Sequence, residues 1–429
     1  MSELRQVIQF ASALYRARLD TAYAAYVKRD PVSLLWLRIG KGTPYPIYER
    51  LRARGTLTPT RNGHWVTTSY RVCDSVLRDR RFGVHPDGGA PSGGGALSFL
   101  SMNPPDHTRL RRIATPTFGP KAVATYRARI ERTVGDLLDR AEETGEFDLV
   151  SGFAEPLPVA VITDLFGFPE SDLADFVRLG EVIPSALQGI RSLRHARELQ
   201  ASNMELRQRF ADLIELRRSE PGDDIISRLI EAEGEQLKPD EMLSMCVLLL
   251  VAGFAATVDL VGSSVLALSA NPDQWQAFCA DPESMAAKVV EETLRFDSPV
   301  QLVIRHALQP LELEGKAIKK NQMVITLLGA ANRDPEVYPH PNTFDINREG
   351  AAPHLAFSGG LHYCLGQPLA RLEATTALQL LAERMTRLSV KGSSGHRTGS
   401  SVRRRTGKIR VTADASGTAD RARSGVTVT

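Results

Sequence analysis

The stretch Phe357-Ser358-Gly359-Gly360-Leu361-His362-Tyr363-Cys364-Leu365-Gly366-Gln367-Pro368 decides how the chain is read. Just beyond it Leu365, Leu369, Leu372, Leu378, Leu381, Met385 and Leu388 recur on one side of a helix. Cys364 thus sits in a Gly-rich loop that opens onto a helix N-terminus, where the helix dipole favours a thiolate. Glycines on both sides remove side-chain bulk, which suits the approach of something large and flat. A cysteine taken at random is a small core residue; it is the loop that singles this one out.

Outward from that loop, 429 residues allow two to four domains or one large enzyme fold with a single big core. With 42% hydrophobic and 24% charged residues, a mainly disordered chain, a collagen-like chain and a disulfide scaffold are excluded. The other cysteines, Cys73, Cys246 and Cys279, form no CxxC pair, which argues against a structural zinc site or a redox pair. The net charge of +3 argues against a nucleic-acid binder. Residues 390–429 hold nine Lys/Arg against Asp414 and Asp420, so this tail carries +7 and the preceding 389 residues −4. Eighteen of the 40 tail residues are Gly, Ser or Thr, and weak order is expected there.

Arg5, Arg16, Arg18 and Asp20 interrupt the first 30 residues, so no signal peptide or integral membrane segment is read there. An amphipathic surface helix is the reading, with transient membrane contact as the minor alternative. Unpaired thiols place the protein in the cytoplasm. Leu57-Thr58-Pro59-Thr60 and His64-Trp65-Val66-Thr67-Thr68 flank Asn62-Gly63, the pattern of a β-hairpin. Residues 82–99 carry six glycines and two prolines and read as a mobile binding loop. Lys238-Pro239-Asp240-Glu241 starts a helix that runs to Asn271-Pro272, about 32 residues or roughly 48 Å. Such a helix must cross the core, and Gly253 and Gly262 inside it mark either close packing or a ligand against the backbone.

FSGGLHYCLG resembles the heme-binding loop FGxGxHxCxG of the cytochrome P-450 family, the heme-thiolate monooxygenases. The resemblance implies heme b, with Cys364 as the axial thiolate of its iron and Phe357, Gly360, His362 and Gly366 in the cofactor loop. Ser358 stands where glycine is usual, tolerable at ordinary backbone angles. Glu292-Thr293-Leu294-Arg295 matches the family's ExxR motif, which alone could equally be a surface helix pair. By resemblance, Glu292 and Arg295 pair with Arg348 and hold the cysteine loop from behind. His107 and Arg111, spaced i, i+4 in Asn103–Arg112, share one helix face. Without the cysteine loop that face would read as solvated and basic. With it, His107, Arg111, Arg305 and His362 match the family's set for the heme propionates.

The implied fold is mainly α with small β-sheets (α+β). It is a single large triangular-prism-like heme-thiolate domain over 1–389 with a long central helix, residues 1–40 forming a helical extension. The implied activity is insertion of one atom of O2 into a hydrophobic small molecule. Electrons would come from a separate ferredoxin and ferredoxin reductase, docked around Arg109, Arg112 and the cysteine loop. A monomer is expected, with the pocket lined by Leu97, Phe99, Val300, Leu302, Val303, Ala252 and Ala256.

The long helix breaks the family pattern. Through Ala252-Gly253-Phe254-Ala255-Ala256-Thr257, Ala255 and Ala256 occupy the places of the acid and alcohol that feed protons to bound oxygen. Thr257 lies one residue further, about 100° round the helix. Substrate hydroxyl, ordered water or Asp259 could relay protons instead. Otherwise the chain is a peroxide-using or oxygen-independent heme-thiolate enzyme, or a non-catalytic heme or lipid binder.

Overall fold

Pro239–Ser269 forms one 31-residue helix, the axis on which the rest is built. Pro239 occupies the first turn, where its missing N–H costs nothing, and Glu241 accepts the Lys238 N–H at 3.0 Å. By length and composition it could cross a membrane, but 83% of its most apolar window is buried inside the protein. This computed structural model describes residues 2–37, 42–87, 98–169, 172–183, 185, 190, 192–234, 236–350, 352–391, 402–404 and 406–413.

Helices Arg127–Thr144, Pro156–Phe166, Leu193–Ser219, Pro282–Phe296 and Gln367–Arg384 surround or buttress the central one. Their apolar faces merge with it into one large core that includes Leu138, Phe153, Phe166, Phe210, Leu249, Leu294 and Leu378. The strands are short: β1 Thr58–Pro59, β2 Trp65–Thr67, β3 Phe82–Gly83, β4 Glu146–Asp148, β5 Val303–Ala307, β6 Leu311–Leu313, β7 Lys316–Ile318, β8 Met323–Thr326, β9 Leu388–Val390 and β10 Arg410–Ala413. The main sheet runs β1-β2-β8-β5-β3, with β2 parallel to β8 and the other pairs antiparallel. The hairpin β1–β2 turns at Gly63, whose φ of 75° suits glycine.

Residues 88–97 of the glycine-rich loop, Leu97 among them, lie outside the described residues. Its two ends are stapled together by Asn103, which accepts the Val84 N–H at 2.8 Å and donates to the His85 carbonyl at 3.1 Å. Helix Pro31–Leu37 buries Val32 and Leu35 against Ile47, Tyr48 and Leu302, so the segment before residue 40 is part of the body.

Among the described residues of the tail, 402–404 and 406–413 are built into the body. Arg403 pairs with Val300 in a β-bridge, Gln301 N–H donates to Val402 O at 2.7 Å, and β10 joins β9 and β4 in a three-stranded sheet. The cause is Asp259. It is fully buried in the central helix and accepts from Arg403 Nε, from Thr406 N–H at 2.8 Å and from Thr406 Oγ1 at 3.3 Å. A buried carboxylate needs such partners, and among the described residues the tail provides them. Asp259 therefore anchors this part of the tail, and its oxygens are already engaged there. Gly262 is explained by the same contact, since a Cβ there would lie 2.9 Å from Thr406 Oγ1.

Candidate active site

Cys364 enters the site from the turn before helix Gln367–Arg384. Its N–H donates to Phe357 O at 2.9 Å, closing the loop. Burial raises the thiol pKa, opposed by the N–H groups of Gly366 and Gln367 and by Arg111 and Arg371. Yet the residue is accessible at its surface. A side chain both surrounded by protein and accessible faces an internal recess. The helix N-terminus points two amides at the sulfur, as the dipole argument requires.

The glycines of the loop answer to different neighbours. At Gly360, φ is 64°, and a Cβ would overlap the Leu77 carbonyl oxygen; at Gly359 it would lie 3.2 Å from Leu77 Cβ. Both are demanded by helix Tyr70–Arg78 pressing on the loop, not by a flat ligand. Gly366 has no neighbour within 4 Å of such a Cβ and is the one on an open side. Ser358 is a correction: its φ is 64°, in the left-handed region, not at ordinary angles. Arg305 Nη2 donates to its hydroxyl at 3.4 Å.

Behind the loop, Glu292 accepts from Arg295 Nε and Nη2, each at 2.7 Å, from Asp345 N–H at 2.8 Å and from Arg348 Nε at 3.3 Å. Arg295 spends its remaining donors on the carbonyls of Asn332, Pro341 and Thr343. A second brace went unread in the sequence. Arg371 pairs with Glu291 at 2.6 Å and stacks its guanidinium 4.6 Å from the Phe357 ring, while His354 Nε2 lies 3.2 Å from Glu291.

In front of the loop the charges do not balance. His107 is 1% exposed and both its ring nitrogens lack a partner. Its ring centroid lies 4.2 Å from that of His362. Burial, then Arg111 and Arg305, hold the His107 pKa down to about 4. Burial, then His107, Arg305 and Arg111, hold His362 down to about 3. Burial alone lowers Arg305 to about 10. Strand β5 delivers Arg305 inward by its alternation, and Arg111 reaches the loop by donating to Tyr363 O at 2.5 Å. No carboxylate among the described residues pairs with any of the four. Four bases, His107 and Arg305 buried and Arg111 and His362 half-buried, thus stand together without an acid, an arrangement that suits a carboxylate ligand.

On the central helix, Ala252 is exposed and Gly253 and Ala256 are partly so, within a run otherwise buried. Ala252 and Ala256 are the accessible positions; Gly253 packs towards Ile162, whose Cδ1 would lie 3.5 Å from a Cβ there, and Ala255 and Thr257 are buried. The Thr257 side chain instead hydrogen-bonds Glu373 of helix Gln367–Arg384. Glu373 is buried, its Oε2 has no partner, and desolvation pushes its pKa up to about 8. Among the residues expected to line a pocket, Val300 and Val303 are partly buried near Leu77 and Leu355. Phe99 packs edge-on to His107 at 6.3 Å. Leu302 is 1% exposed among Ile47, Tyr48 and Ile325 and belongs to the core rather than to a pocket wall. Arg109 is likewise corrected: Glu241 at 2.6 Å and Asp106 at 3.0 Å already hold it.

The family description "Cytochrome P450" matches residues 284–395. Cytochrome P450 107B1 of Saccharopolyspora erythraea is 40% identical over 319 residues, 73% of this chain and 75% of that one. The biotin biosynthesis cytochrome P450 of Bacillus subtilis is 36% identical over 366 residues, 81% of this chain and 90% of that one. Among solved structures, P450BioI bound to an acyl carrier protein ligated with hexadec-9Z-enoic acid superposes with a TM-score of 0.80. It is 33% identical, covering 87% of this chain and 99% of that one. The fold is that of a heme-thiolate monooxygenase. The chain belongs to the cytochrome P450 family, among relatives of bacterial type.

The residues fit heme. An accessible thiol backed by two amides lies on the same loop as His362, whose ring lies near that of His107 in a group of four bases lacking any acid among the described residues, as a propionate-bearing macrocycle requires.

Proposed function

We propose that Cys364 Sγ is the axial ligand of heme iron, that His107, Arg111, Arg305 and His362 hold the propionates, and that a hydrophobic substrate lies against Ala252, Gly253 and Ala256. The observation that carries this reading is the uncompensated base cluster beside an accessible cysteine. When bound, the heme supplies dioxygen binding and the redox chemistry of oxygen insertion. The Gly366 and Gln367 amides stabilise the thiolate and temper its basicity. The exposed face of the central helix offers only methyl groups and backbone, which selects apolar ligands.

Ala256 leaves that face without a proton donor, and the nearest acid–hydroxyl pair, Glu373 with Thr257, lies behind it. Glu373 keeps its proton at neutral pH because it is buried, and its partner is the Thr257 hydroxyl, one residue from Ala256. Thr257 is turned away from the open side, so a water or a substrate hydroxyl has to bridge round the helix from Thr257 Oγ1. This favours the dioxygen route over peroxide use. Glu373→Gln should then lower product formed per reduced nicotinamide consumed by about tenfold or more, toward the ~10²–10⁴ range of a general acid.

Electrons come from a separate ferredoxin and its reductase in the cytoplasm. They arrive at the face carrying exposed Arg112, Leu361 and Tyr363, since Arg109 is already paired. The test of the central reading is spectroscopic. Reduced wild-type protein under carbon monoxide should show the red-shifted Soret band of thiolate ligation, and Cys364→Ala should lose it. A thiolate spectrum retained by Cys364→Ala would falsify the assignment.

A further inference from the structure

Helix Ser2–Tyr26 exposes, in its second half, an apolar stripe that a water-exposed helix would turn inward. It packs on the body through Ala24 and Ala25, which are buried. Tyr15, Leu19, Tyr23 and Tyr26 are exposed, Leu19 by 71% and Tyr26 by 65%. At 100° per residue these four fall within an arc of about 80°, centred roughly opposite the packed face. An ordinary surface helix turns such a stripe inward. The stripe and Val27 after it account for five of the eleven exposed large hydrophobic residues among those described.

The surroundings of the stripe are basic. Arg16 and Arg18 straddle it on either side, both exposed. Lys28 Nζ and the Arg61 guanidinium each lie 5.8 Å from the Tyr23 ring centroid. Asp20 is the one exposed acid on this part of the helix. A second copy of the chain, paired about a two-fold axis, would bring this positive rim against itself. An anionic lipid surface instead supplies the opposite charge, a plane long enough for the stripe, and the polar–apolar boundary at which tyrosine rests.

We infer that this helix docks the protein onto an anionic membrane surface, lying in the headgroup region without crossing it. The inference is independent of the reading of the heme site. It is tested by co-sedimenting the full-length heme-loaded protein with vesicles of phosphatidylcholine plus phosphatidylglycerol, and with phosphatidylcholine alone. The bound fraction at matched lipid should be about tenfold higher on the anionic vesicles and should fall with added salt. Leu19→Asp with Tyr26→Asp should reduce it about tenfold, and Arg16→Ala with Arg18→Ala should remove the preference for anionic lipid. Both positions are exposed, so the heme spectrum should be unchanged and report an intact fold. Wild-type protein that stays in the supernatant with anionic vesicles, or binds both vesicles equally, overturns the inference. So does a concentration-dependent dimer in light scattering that Leu19→Asp breaks, which assigns the stripe to a second copy.

Discussion

Two clusters of bases flank the cysteine loop, and they are opposites. Behind it, Arg295 and Arg348 converge on Glu292, and every guanidinium donor of Arg295 has an acceptor. In front of it, His107, Arg111, Arg305 and His362 converge on no acid among the described residues. Basic groups serve different ends in the two places. A cluster neutralised by an acid belongs to the fold; a cluster left without one is held by the fold for something else.

The largest expected effect lies in the balanced cluster. Glu292→Ala leaves two buried guanidinium groups uncompensated, a loss of about 3–5 kcal/mol. Soluble yield and thermal melting should both collapse, with or without heme. The unbalanced cluster should respond in the reverse sense. Arg111→Ala with Arg305→Ala should weaken heme retention, by about 1.5–3 kcal/mol for each charge-assisted bond lost. The heme-free variant should melt no lower than heme-free wild type, because a repelling charge has been removed. If heme occupancy is unchanged, the comparison between the clusters fails.

Proton binding sharpens it further. His107 and His362 titrate near 4 and near 3 in the folded chain, against about 6.5 when unfolded. As pH falls from 6.5, the unfolded chain takes up protons that the folded heme-free protein refuses. Its stability therefore declines down to about pH 4 for His107 and pH 3 for His362. Melting curves across that window should fall more steeply for heme-free than for heme-loaded protein, whose propionates favour protonated rings. His107→Gln with His362→Gln should flatten the heme-free curve.

The smallest effect is expected at Ser358. Its φ of 64° costs a non-glycine residue about 1 kcal/mol, and its contact to Arg305 is long at 3.4 Å. Ser358→Gly should raise the melting temperature slightly. A lower one would show that the Arg305 contact outweighs the backbone strain.

What was legible in the sequence is what is contiguous. The loop around Cys364 compresses a turn, a thiol and a helix start into twelve residues, and its glycines and following leucines announce all three. The roles of Glu292 and Arg295 came only with the family resemblance, because i, i+3 spacing alone does not distinguish a buried pair from a surface one. Contacts between distant segments were out of reach. Nothing near Thr257 points to Glu373, nothing near Asp259 points to Arg403, and the exposure of Arg109 vanishes only once Glu241 is placed beside it. The left-handed backbone at Ser358 was hidden for another reason. A serine gives no local signal that its backbone will take a positive φ.

The Asp259 anchor bears on how the chain is made. The central helix leaves the ribosome well before Arg403 and Thr406 exist, so its buried carboxylate must wait for partners synthesised 144 residues later and beyond. A premature stop codon ahead of position 403 would remove more than a tail. It would strand a negative charge in the helix that forms one wall of the heme recess, and Asp297 would lose Arg404 with it. The central helix is therefore not electrostatically complete until the chain has been made past Thr406.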